Sequence, residues 1–206
     1  SKGIKIIGVT KVVGGHPAIA KVFIENGIQI LADSRIENII KMRKSGICAQ
    51  YLLLRTPSLS QIEEVVIHAH ISLNAELSVL KELSKYALKN NIIHKVILMV
   101  ELGDLREGIM PVDIDHTVKE VLELKGLSLI GIGTNLACFG GIKPDVNKMN
   151  ELSLIATHLE KKFKISRSWI LNYIPVKMLK FHVSIIKHNI DKNIISIGVK
   201  NQNFKN

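Results

Sequence analysis

The stretch Lys5-Ile6-Ile7-Gly8-Val9-Thr10-Lys11-Val12-Val13-Gly14-Gly15-His16-Pro17 puts a lysine where a short apolar run stops and a glycine pair turns the chain. A lysine at the carboxyl end of a buried parallel strand sits where α/β proteins place their chemistry. Partial desolvation there makes the amine a nucleophile toward an aldehyde. Taken alone, the stretch is equally what a solvated strand-end lysine looks like, and that is the commoner case. Other apolar runs also end in polar residues: Asp33, Arg55, Asn74, Glu101 and Asn135. His68 and His70 alternate with apolar neighbours and lack a third ligand nearby, so they read as strand-face residues and not as a metal site. The sequence contains no Gly-x-Ser-x-Gly elbow and no paired-carboxylate pattern to nominate a hydrolase.

The elements that must position these residues follow from hydrophobic periodicity. Strands are expected at 4–10, 28–32, 50–54, 68–73, 95–101 and 127–133, and helices at 17–26, 33–44, 59–66, 75–89, 114–124 and 146–163. Asp33 or Ser34 is a suitable N-cap for the second helix and Asn74 for the fourth. In that fourth helix Leu77, Leu80, Leu83, Tyr86 and Ala87 recur at helical spacing. The strands are continuously apolar, as in sheets buried on both faces, and strict strand–helix alternation implies a parallel sheet. No glycine-rich nucleotide loop follows the first strand. The expected fold is therefore an α/β protein of the (β/α)8 TIM-barrel type, with six βα units recognisable and two missing. The six polar strand ends would ring one mouth.

Composition narrows the function classes. The 206 residues are 47% hydrophobic with a mean hydropathy of +0.23, which describes a folded chain. No apolar run reaches membrane-spanning length, and no secretory signal precedes the first strand, so a cytoplasmic protein is expected. The absence of an initiator Met points to processing at this end. Cys48 and Cys138 lack metal spacing and read as reduced thiols. The net charge of +10 would suggest nucleic acid, but the last forty residues carry seven Lys and Arg against Asp191 alone. The body has an ordinary mixed surface, and neither nucleic acid nor a membrane is expected as a partner.

Four segments carry a resemblance: Gly8-Val9-Thr10-Lys11-Val12-Val13, Leu31-Ala32-Asp33-Ser34-Arg35-Ile36-Glu37-Asn38, Leu102-Gly103-Asp104-Leu105-Arg106-Glu107-Gly108 and Gly131-Ile132-Gly133-Thr134-Asn135-Leu136-Ala137-Cys138. In this order and spacing the chain resembles the ornithine-racemase branch of the alanine-racemase-like family, enzymes of pyridoxal 5'-phosphate (PLP). The resemblance implies a PLP-dependent amino-acid racemase (an isomerase) interconverting L- and D-ornithine or a similar amino acid. It implies that Lys11 binds PLP covalently and moves a proton at the substrate α-carbon. Arg106 matches the arginine of a Met-x-Arg-x-Gly-like loop near the cofactor. Asn135 stands where relatives carry a histidine near the pyridine ring, and a neutral amide cannot be protonated there. Gly15 stands where relatives of the alanine-racemase type place a tyrosine. Asp33, Glu101 and Asp104 are candidates to receive a side-chain ammonium. A small amino acid is the expected substrate, with a homodimer as an open assembly. A non-catalytic PLP-binding protein of the same fold and an inactive remnant are the alternatives.

The resemblance ends near residue 165. A barrel domain is expected over 1–165 and a divergent basic tail over 166–206. The Gly-Gly-Asn-Ser-like loop that holds the PLP phosphate in the family has no counterpart in that tail, whose Lys-, Ile- and Asn-rich text is what a reading-frame shift would produce. Phe181–Ile186 and Ile194–Val199 are strand-like by composition. Without covering strands, the first and sixth strands would be open edges prone to association.

Overall fold

The computed structural model describes residues 5–136, 141–142 and 144–165, together with the backbone of 169–175 and 193–198. The chain opens with β1 (Lys5–Val9), a 3₁₀ turn (Lys11–Val13) and α1 (Pro17–Glu25), followed by β2 (Ile30–Asp33) and α2 (Ile36–Lys44). Then come β3 (Gln50–Leu53), a 3₁₀ turn (Leu59–Gln61), α3 (Ile62–His68), β4 (Ile71–Asn74) and α4 (Leu77–Lys89). β5 (His94–Met99), α5 (Ile114–Leu122), β6 (Leu127–Asn135) and α6 (Val146–Phe163) complete the six expected units. Two further strands, β7 (Trp169–Pro175) and β8 (Asn193–Gly198), carry the pairing from β6 round to β1. All pairings are parallel and the eight strands close a barrel in chain order. The edges expected beside β1 and β6 are thus paired, by strands from the segment read as a tail. β8 overlaps the strand expected at Ile194–Val199. The other strand expected there, Phe181–Ile186, lies outside the described residues, as does Cys138.

Strand alternation divides the core into an inner layer and an outer one. Ile7, Val9, Ile30, Ala32, Leu52, Leu54, Ile71, Leu73, Ile97 and Met99 fill the barrel, with Ile130 packed against them. Residues of opposite parity face the helices: Leu31, Tyr51 and Leu53 pack with Ala20, Ile39, Val65 and Leu83, and Val96, Leu98 and Ile132 pack with Val118, Leu152 and Leu159. Because both faces are covered, the strands are apolar throughout, which is what made them legible. A register shift opposite Val96 and Ile97 brings Gly131 and Gly133 level with Ile97 and Met99. Gly131, Gly133 and Asn135 therefore share the inward face of β6, while Ile132 and Leu136 belong to the outer cluster.

Several local expectations are corrected. α2 starts at Ile36 with Arg35 as an uncapped N-cap, and α4 starts at Leu77 after Glu76. Asn74 turns back instead, its Nδ2 donating to Ser72 O at 3.0 Å and Ser72 Oγ at 2.9 Å. His68 is the last residue of α3, not a strand residue. His70 precedes β4, and its Nδ1 accepts the Tyr51 N–H at 3.0 Å. No helix among the described residues is long and apolar enough to cross a membrane.

Candidate active site

Lys11 directly follows β1 and opens the 3₁₀ turn at the carboxyl mouth of the barrel, half-buried. The turn has firm supports. Thr10, 0% exposed, donates its N–H to Ala32 O at 2.9 Å and its hydroxyl to Asp33 Oδ2 at 2.8 Å. Gly15 donates its N–H to Thr10 O at 3.2 Å. Gly14 and Gly15 both hold left-handed φ values, +56° and +59°, which side chains other than glycine's disfavour. A Cβ on Gly15 would lie 2.8 Å from Asn38 Cβ, so the turn rests directly on α2. Lys41 of α2 also donates from Nζ to Gly14 O at 2.7 Å. The tyrosine that the resemblance leads one to expect at this position is sterically excluded by this packing.

The six polar strand ends do not form one ring. Asp33 shares the parity of Leu31 and lies on the helix side of β2, 0% exposed. Its Oδ1 accepts the Arg35 N–H at 3.1 Å and Asn38 Nδ2 at 2.9 Å, while Oδ2 accepts Thr10. To meet a substrate ammonium, Asp33 would have to leave these donors. Asn74 is likewise on the helix side, and Arg55 is exposed. Lys11, Glu101 and Asn135 remain at the mouth, Glu101 two positions beyond Met99 and Asn135 two beyond Gly133. Ala32 and Gly133 are the small inward residues just below this level.

The loop between β5 and α5 folds over the mouth on Glu101. Glu101 Oε1 accepts the backbone N–H of Gly103 and, at 3.1 Å, that of Leu105. Glu101 N–H donates to Ile109 O at 2.9 Å, and Ile109 N–H to Met99 O at 2.7 Å. Gly108 has no space for a side chain: its Cβ would lie 2.8 Å from Val100 C and Glu101 Cα. Asp104 is 1% exposed within this loop. Arg106 Nε pairs with Glu107 Oε2 at 2.7 Å, and Asn135 Nδ2 donates to Glu107 Oε1. Glu107 therefore links the two residues expected at the cofactor, and nothing in the motif had singled it out. The one available signal was its place between Arg106 and Gly108. Asn38 was also passed over, although it lies within the second motif. Among the described residues no group of His, Cys, Asp and Glu could hold a metal ion.

The alanine racemase N-terminal domain family model matches residues 1–167. The chain belongs to that family. It is 39% identical over 162 residues to a lysine racemase of Thermotoga maritima, a match covering 78% of this chain and 44% of that protein. It is 38% identical over 164 residues to an ornithine racemase of Acetoanaerobium sticklandii, covering 79% and 46% respectively. The chain thus matches less than half the length of each of these curated relatives. Among solved structures, alanine racemase of Clostridium difficile 630 superposes with a TM-score of 0.78 at 18% identity, over 97% of this chain and 52% of that one. PipY of Synechococcus elongatus with PLP bound superposes at 0.76 and 15% identity, over 95% and 91%. These similarities establish the barrel.

Proposed function

We propose that this chain is the cofactor-binding barrel of a PLP-dependent amino-acid racemase acting on ornithine, lysine or a similar basic amino acid. The observation that carries the proposal is the half-buried Lys11 at the carboxyl end of β1, in a family whose relatives at 38–39% identity are ornithine and lysine racemases. The residues at the mouth suit PLP: a supported amine, small inward neighbours at Ala32 and Gly133, and a polar group at Asn135 held by Glu107. PLP, when bound, supplies the electron sink that stabilises negative charge at the amino-acid α-carbon.

In this reading Lys11 would hold PLP through Nζ, and the same atom would take or return the proton of the substrate α-carbon. Arg106 and Asn135 would help to hold PLP. Glu107 neutralises part of the Arg106 charge and fixes the Asn135 amide, so that the Asn135 carbonyl oxygen is presented away from Glu107. A basic side chain on the substrate would meet Glu101, the partly exposed carboxylate at the mouth. Asp33 and Asp104, 0% and 1% exposed, are enclosed, and Asp104 contributes from within the loop. The organisation proposed with this function is a barrel unit over 1–165 and a divergent basic segment over 166–206, in a cytoplasmic protein with room for a homodimer. The end of the family match at 167 supports that division.

The test is loss of optical rotation from L-ornithine and from L-lysine with added PLP, compared with Lys11→Ala. Racemisation that Lys11→Ala abolishes is expected. Racemisation that survives Lys11→Ala overturns the assignment, and PLP binding without any loss of rotation favours a non-catalytic PLP-binding protein.

A further inference from the structure

We infer that Thr10, Asp33 and Asn38 form a clamp that positions Lys11, and that Asp33 is a positioning residue for the lysine and not a group that meets substrate. The inference rests on the reading of Lys11 as the PLP lysine for its purpose, although the clamp itself is geometry. Asp33 is fully buried, yet its carboxylate caps no helix by side chain. Besides the Arg35 N–H, its donors are two side chains, and both bear on one place. Thr10, the residue before Lys11, donates its hydroxyl to Oδ2 at 2.8 Å and its N–H to the neighbouring Ala32 O at 2.9 Å. Asn38 donates to Oδ1 at 2.9 Å while its Cβ forms the seat for Gly15, four residues beyond Lys11. Gly15 closes the circuit through its N–H to Thr10 O at 3.2 Å. One end of the turn that carries Lys11 is therefore hydrogen-bonded to one buried carboxylate through Thr10, and the other end packs on Asn38, which donates to the same carboxylate.

The physical consequence is specific. A lysine side chain has four flexible carbons, so the only part of it a fold can fix cheaply is its Cα. A partly buried amine that must reach an aldehyde and later the α-carbon needs that Cα held closely, since small displacements of reacting groups cost large factors in rate. Charge-assisted hydrogen bonds in a dry layer between sheet and helices are well suited to this. Asp33 therefore acts on the amine through the backbone, without touching it.

The experiment compares the parent chain with Thr10→Val, Asp33→Asn and Thr10→Ser, each in the 206-residue chain. Three quantities are read: amide hydrogen exchange over residues 10–16, the rate at which acetic anhydride labels Lys11 relative to the other lysines, and the fraction of Lys11 carrying PLP after borohydride reduction. Cooperative thermal melting of each variant guards against general unfolding. In Thr10→Val and Asp33→Asn, exchange over 10–16 should rise by about tenfold or more, the factor carried by one charge-assisted hydrogen bond. The relative labelling rate of Lys11 should change with it, PLP capture should fall, and Thr10→Ser should restore all three. Unchanged exchange and unchanged Lys11 labelling in both variants overturn the clamp, as does failure of Thr10→Ser to rescue. If exchange and labelling respond as expected but the parent protein captures no PLP, the clamp stands and the PLP reading fails.

Discussion

At the scale of single residues, the turn after β1 explains a departure that the motif alone left unexplained. Gly15, where the family resemblance leads one to expect a tyrosine, has a φ of +59° and a 2.8 Å Cβ separation from Asn38 that leave no room for a side chain. Gly14 has almost the same φ, +56°, but nothing lies within 4 Å of its Cβ position. Comparing alanine at the two sites separates backbone strain from packing. Gly14→Ala should cost about 1–2 kcal/mol, the left-handed penalty alone. Gly15→Ala should cost more, because it also displaces α2 from the Lys11 turn. Differential scanning calorimetry reads this as a lower melting temperature, with about 2–4 °C expected per kcal/mol for a chain of this size. Equal losses at the two positions would show that the Asn38 contact carries no energy. Glu107 makes a similar point about residue-level reading. Its importance comes from reaching both Arg106 and Asn135, across 28 positions in the second case, and no local pattern encodes such a pairing.

At the scale of elements, β4 and β5 carry a buried polar path on their helix side. Ser72 Oγ lies 2.8 Å from His94 Nε2, and Asn74 donates to the same Ser72 oxygen. His94 is 1% exposed, and burial, aided by nearby His70, pushes its pKa down to about 4. An unfolded histidine takes up its proton near pH 6.5, so between there and pH 4 the unfolded chain binds more protons. The stability contributed by neutral His94 is complete above about pH 6.5 and is lost as the pH falls toward 4. His68 and His70 are shifted in the same direction, mainly by burial. Urea midpoints measured across this range should fall by an amount worth on the order of a few kcal/mol, and His94→Gln should flatten the decline. A decline of undiminished steepness in His94→Gln would assign it to other groups. The same strands show what was legible in the sequence. Their apolar runs could be read because both faces of each strand are buried. Which face a strand-end residue takes could not be read, because a shift of one position reverses it. Asp33 and Asn74 looked like companions of Lys11 and proved to face the helices. His68 and His70 looked like strand residues and proved to end a helix and precede a strand.

At the scale of the whole molecule, the barrel closes although the sequence offered six convincing units. Trp169–Pro175 and Asn193–Gly198 pair residue by residue with β6, with each other and with β1. These strands were hard to read because the sequence around them is rich in lysine and asparagine. Closure matters for the site, because Lys11 leaves β1 and Asn135 ends β6, and β7 and β8 set the distance between those two strands around the mouth. Asn135 pairs with Tyr173 in register, and Val9, two residues before Lys11, pairs with Gly198. The most direct measurement is where PLP becomes attached. The purified chain is incubated with PLP, reduced with borohydride, digested and sequenced by mass spectrometry. The adduct is expected on Lys11, and Lys11→Ala should leave no specifically modified peptide. An adduct placed on another lysine of the folded protein, with Lys11 unmodified, would contradict the assignment.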